Sequence, residues 1–185
     1  MRLFGRKNDD KYTEAAKLLA DGEVEQALEL LRDFLEEHPD HANAHTSLGV
    51  ALIHFQENPS ADSPEIQEAF QHFERAFELD PDDAVPIFNK AVALRDLGRH
   101  DQALASFDRV LEVEERNALA VLHKAEINYE LENYEEALRL AKLALIRDPA
   151  LEEQLVWVKD AMRRGGFLDD GGNVIDKPKE DIPEE

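Results

Sequence analysis

The sequence predicts an all-α repeat array of four helix-turn-helix units closed by one further helix. Three observations carry that prediction. Residues 84–117 and 118–151 match each other at an offset of 34, which superimposes Ala91 on Ala125 and Ala103 on Ala137. Apolar residues recur at spacings of three and four, as in Ala103, Phe107, Val110 and Leu111, the period of a helix that buries one face. Pro39, Pro81 and Pro149 each follow a helical run that proline cannot continue, and Gly98 separates the paired segments of the third unit.

Residues 1–8 precede the first periodic run and are expected to be flexible. The first unit, about 8–41, emerges at an offset of 42, which places Ala69 on Ala27, Phe73 on Leu31 and Pro81 on Pro39. The second unit, 42–83, is longer by the eight residues Gln56 to Ser63, a polar, proline-containing stretch that reads as a loop insertion between its two helices. Ser63-Pro64-Glu65 then supplies an N-cap, an N1 proline and an early acid for the next helix.

The third and fourth units are 84–117 and 118–151. After them Leu151, Leu155, Val158 and Met162 form one stripe, and Arg163-Arg164-Gly165-Gly166 gives a basic last turn and a glycine stop. A helix over about 151–164 is therefore expected to cap the array, because the last unit would otherwise expose its apolar face. Trp157 on that helix reads as packing rather than ligand binding. The repeat domain spans 9–164, and the glycine pairs, prolines and acids of 165–185 predict an acidic disordered tail.

Forty-two acidic against 21 basic side chains give a formal charge of −21, a surface that repels phosphate backbones and anionic headgroups. Nucleic acid and membrane are therefore not expected partners. The absence of cysteine excludes disulfides and thiolate metal sites and fits a reducing cytoplasm. No apolar run approaches a membrane span and no leader follows the basic residues Arg2, Arg6 and Lys7, so a soluble cytoplasmic protein is expected.

Leu48-Gly49-x2-Leu52, the elements Ala69-x3-Phe73 and Ala103-x3-Phe107, and Glu78-Leu79-Asp80-Pro81 resemble the tetratricopeptide repeat, a 34-residue helix-turn-helix unit. The resemblance covers about residues 8–164. It departs from the pattern at the tryptophan position, held here by Lys11, His45, Ile87 and Val121, and at Glu115, where a proline closes other units. The resemblance implies a right-handed superhelical solenoid whose first helices line a concave groove for a peptide or helix of another protein. The positions it assigns to that groove are Asn43, Thr46, Val50 and Ile53; Val85, Phe88, Asn89, Val92 and Arg95; and Leu119, Leu122, His123, Glu126 and Tyr129. Some members clamp a partner's C-terminal carboxylate with a Lys, Asn, Asn, Lys, Arg set, but those positions here are Tyr12, Ala16, Ser47, Val85 and Asn89. Apolar recognition framed by Asn43, Asn89, Arg95 and His123 is expected instead, centred on Phe88 and Leu122.

Rival chemistry finds little support. His38, His41 and His45 have spacings that suit a metal, yet they span a unit junction with no assignable second shell. Asp169-Asp170-Gly171-Gly172-Asn173 lacks the alternating ligands and closing Glu of a calcium loop. With no nucleophile elbow, phosphate loop or dinucleotide fingerprint, no catalytic residue, cofactor or metal is expected. The function expected is that of a non-enzymatic adaptor. The alternatives are a self-associating scaffold, hence a homo-oligomer, and a groove closed by the tail residues Phe167, Leu168, Val174 and Ile175.

Overall fold

A computed structural model of the chain describes residues 4–56, 60, 63–169 and 171–175. Its helices are α1 Phe4–Ala20, α2 Val24–Glu37, α3 Ala42–His54, α4 Pro64–Leu79, α5 Val85–Asp96, α6 His100–Val113, α7 Ala118–Glu130, α8 Tyr134–Arg147 and α9 Val158–Arg164, with a 3-10 helix Pro149–Gln154 before α9. They form four antiparallel pairs, α1 with α2, α3 with α4, α5 with α6 and α7 with α8. The chain divides into two compact units after Glu115: the first holds three pairs, the second holds the fourth pair and everything that follows it.

One backbone device makes the turn inside three of the pairs. Glu23 N–H donates to the Leu18 carbonyl, Arg99 N–H to that of Leu94, and Asn133 N–H to that of Asn128, at 2.9, 2.8 and 2.8 Å. Each closes a Schellman turn that needs a left-handed residue just before the donor. Gly22 and Gly98 fill that place at φ of 83° and 70°. In the fourth pair Glu132 fills it at φ 62°, a conformation that costs a residue with a Cβ about 1–2 kcal/mol. The Glu132 carboxylate accepts a hydrogen bond from Arg164 at 2.6 Å, and the Arg164 guanidinium lies 5.1 Å from the Tyr134 ring centroid, so the strained turn is tied to α9.

Small residues sit where the paired helices meet. Ala27, Ala69, Ala103 and Ala137 on the second helices, and Ala91 and Ala125 on first helices, are fully buried, which lets the backbones approach closely. Gly49 on α3 is the tightest case: a Cβ there would lie 2.7 Å from the Phe73 ring of α4. Larger side chains fill the remaining volume, with Leu31, Phe73, Phe107 and Ile127 all but inaccessible.

Side chains at the unit junctions start the next helix. The His41 Nδ1 accepts from Ala44 N–H at 3.1 Å at the head of α3, and Asn117 Oδ1 accepts from Ala120 N–H at 2.8 Å at the head of α7. These bonds satisfy donors that a helix start leaves orphaned. Ser63 precedes α4 with Pro64 at its first position, but its hydroxyl makes no cap bond.

Three expectations change at the ends of the chain. Residues 4–8 belong to α1 instead of a flexible lead. The run over 151–164 is not one helix, because the 3-10 turn ends at Gln154 and α9 starts at Val158. Leu151 and Leu155 are buried nonetheless, so the apolar stripe holds while the backbone turns. Residues 167–175 are not irregular: Leu168 bridges Val174, Ile175 N–H donates to the Phe167 carbonyl at 2.8 Å, and Asp169 N–H to that of Asn173 at 2.9 Å. The Asp169 carboxylate accepts from the Asn173 side-chain amide at 3.0 and 3.2 Å and from the Asn173 backbone N–H at 2.8 Å; the side-chain bonds first, then the backbone bond, lower its pKa. The rest of the expected tail, 176–185, lies outside the described residues, as does the expected flexible lead over 1–3.

Candidate functional site

In the first unit α1, α3 and α5 are neighbours, so the first helices of successive pairs stand side by side. Of the residues predicted on this face, Asn43 and Val85 are exposed, and Thr46, Val50, Ile53, Phe88, Asn89, Val92 and Arg95 are half-buried. Half-burial leaves each of these residues partly packed on its neighbours and partly open to solvent. The Phe88 ring meets the Phe107 ring edge-on, centroids 5.7 Å apart, while Val85 keeps half of its surface open. Arg95 donates to Asp96 at 2.9 and 3.1 Å.

The predicted residues of α7, in the second unit, divide differently. Leu122 is completely buried, which corrects its assignment as a contact residue: its side chain is part of the core, because its helical position faces inward. Leu119 is exposed. His123 Nδ1 and Glu126 Oε2 are 2.8 Å apart. The Tyr129 hydroxyl donates to Asp160 at 2.8 Å and its ring stacks on Trp157 at 5.0 Å, so α7 is covered at its C-terminal end by α9 and the residue before it. Trp157 is packed against the array.

Two of the four tail residues expected to close the groove line a cleft within the second unit. Phe167 and Val174 line an apolar cleft of about 440 Å³ together with Leu138 and Leu145 of α8 and Val158 and Met162 of α9. That places the hairpin against α8, the second helix of the fourth pair. The signal for it lay in the sequence as two apolar pairs, Phe167-Leu168 and Val174-Ile175, flanking a glycine-containing turn.

The three spaced histidines diverge. His38 packs on Phe34 with centroids 4.6 Å apart, His41 caps α3, and His45 turns inward. His45 Nε2 is 2.9 Å from the Pro39 carbonyl, so it must donate there, and its Nδ1 shares a hydrogen bond with His72 Nδ1 at 2.8 Å. Burial, then the neighbouring His45, pushes the His72 pKa down, opposed by Glu68 at 3.8 Å. Among the described residues no group of three His, Asp or Glu side chains is arranged to hold a metal ion.

A charged cluster that sequence reading did not single out joins three helices of the first unit. Arg109 of α6 donates to both oxygens of Glu74 on α4 at 2.8 and 3.0 Å, and Lys90 of α5 donates at 2.6 Å. The Arg109 bonds, reinforced by Lys90 and opposed by burial, hold the Glu74 carboxyl at about 2, below its ordinary 4.5. Since the folded value is the lower one, the stabilisation is present above 4.5 and lost as pH falls toward 2. The carboxylate is one-third exposed, so screening reduces its share to about 1–2 kcal/mol. Glu74→Gln should lower stability by that amount in urea titrations at neutral pH, and the gap should close near pH ~2; a gap that persists in acid would assign it to packing.

A sequence profile of the tetratricopeptide repeat matches residues 12–84 and 88–152. No protein of curated function matches the chain. Among solved structures, MamA 41-end from Desulfovibrio magneticus RS-1 superposes with a TM-score of 0.70 at 18% identity, over 86% of each chain. TTC0263, a thermophilic TPR protein of Thermus thermophilus, gives 0.69 at 21% identity over 84% of this chain and 81% of that one. PilF of Pseudomonas aeruginosa gives 0.72 at 17% identity over 88% and 70%. At these identities the likeness is one of fold.

Proposed function

Because the chain belongs to the tetratricopeptide repeat family, whose members generally serve as non-enzymatic interaction modules, we propose that it is an adaptor that holds an apolar peptide or helix of another protein. We assign the contact to the face of α3 and α5 in the first unit. One observation carries this reading: Val50, Ile53, Val85, Phe88 and Val92 leave apolar surface open on two adjoining helices, where water contact is unfavourable and a partner's apolar side would relieve it. Asn43 and Asn89 among them supply hydrogen bonds that fix register, while Arg95 is engaged by Asp96. On α7, His123, Glu126 and Tyr129 are engaged by their own neighbours, and Leu119 is the accessible apolar position. No helix among the described residues is long and apolar enough to cross a membrane, and we place the adaptor in the cytoplasm on its lack of cysteine.

Peptides selected from a displayed library against the wild-type protein test the assignment. Val85→Glu should weaken the selected peptides about tenfold or more, as expected for a charge placed in an apolar contact. Ala105→Glu, an exposed position on α6, should leave them unchanged. Equal affinity for both variants would remove the α3 and α5 face from the reading.

A further inference from the structure

The apolar cleft between α8, α9 and the hairpin is open to solvent: Val174 on its lining is 71% exposed, and Ile146, one turn beyond the lining residue Lys142 on α8, is 69% exposed. Two oppositely charged residues stand on its α8 wall. Glu135 and Lys142 are both exposed, and neither has an ion-pair partner among the described residues. They are seven residues apart, two turns or about 10.5 Å along one helical face, with Leu138 between them.

That arrangement is complementary to itself. When two copies of α8 meet antiparallel across a two-fold axis passing beside Leu138, Glu135 of each faces Lys142 of the other, and two ion pairs form at once. A parallel approach in the same register would instead oppose like charges. Local charge points the same way: Tyr134 to Arg164 contains six acidic and six basic side chains, balanced within a chain whose net charge is −21. Copies approaching here meet no net local repulsion, whereas elsewhere the acidic excess drives them apart. We propose that the cleft and the α8 ridge form a homodimer interface, in which Leu138, Ile146 and Val174 of each copy are covered by the other. It involves residues remote in sequence from the α3 and α5 face, so either assignment can fail alone.

Sedimentation velocity over about 1–200 µM protein tests the proposal. The wild type should pass from monomer to dimer with a dissociation constant in the micromolar range, as expected of a small interface. Glu135→Lys or Lys142→Glu alone should weaken the dimer about tenfold, by setting two like-charged pairs across the axis. The double variant Glu135→Lys/Lys142→Glu should recover it, because the pairs reform with signs reversed. Both sites are exposed on a helix, and circular dichroism will verify that each variant keeps the wild-type helicity. A wild type that stays monomeric throughout, single variants that dimerise as well as the wild type, or a double variant no better than the singles would each overturn the assignment.

Discussion

Leu122→Glu should unfold the fourth helix pair, whereas the same kind of exchange at Val85 should leave the protein folded. Leu122 has no accessible surface and Val85 keeps 50% of its own. A carboxylate at position 122 would lose water without gaining a partner, or take up a proton to avoid it, and the apolar contacts of the leucine would go as well. The expected cost is about 4 kcal/mol or more, a large part of a single domain's stability. Val85→Glu should change stability by no more than about 0.5 kcal/mol. Urea unfolding followed by circular dichroism separates the two. Because the chain forms two compact units, Leu122→Glu should lose the helicity of α7 and α8 before that of α1 to α6. A variant within about 1 kcal/mol of the wild type would contradict the interior position of this side chain.

The second large effect is expected at Gly49. Alanine is the better helix former by about 1 kcal/mol, so an unconstrained site would be stabilised by Gly49→Ala. Here the new Cβ would come within 2.7 Å of a Phe73 ring that is itself buried, so the ring or one of the two helices must shift. Destabilisation of about 1–3 kcal/mol is expected. Phe73→Leu, which removes the obstructing ring atoms, should make the alanine tolerable. The double-mutant cycle should therefore show a favourable coupling of about 1–2 kcal/mol, while additive effects would show that the helices simply move apart.

Much of the architecture could be read without coordinates because it is written in periods. The 34-residue step locates Ala103 and Ala137 at matching crossings, and the three-four spacing of Phe107 and Val110 assigns them inward. Position within a face is harder to read. Phe88 and Leu122 occupy the same position in successive units, yet one is half-buried and the other sealed, because what covers a helix face depends on neighbours that its own sequence does not name. Glu132 illustrates a different limit. Helical period predicts a turn after Leu131 but not that a glutamate, tied by its side chain to Arg164, would take a conformation filled by glycine in two other units.

The array of four helix pairs thus follows from sequence alone, since periodic apolar faces and proline or glycine stops act locally and repeat. The closing helix was legible only as an apolar stripe; tertiary packing divided it into a 3-10 turn and α9, with Leu151 and Leu155 buried on one side of the division. Tertiary structure also decided where the hairpin rests, which histidines meet, and which predicted contact residues keep a free surface. These depend on distances between residues far apart in the chain, and burial and charge pairing respond to those distances rather than to spacing along the sequence.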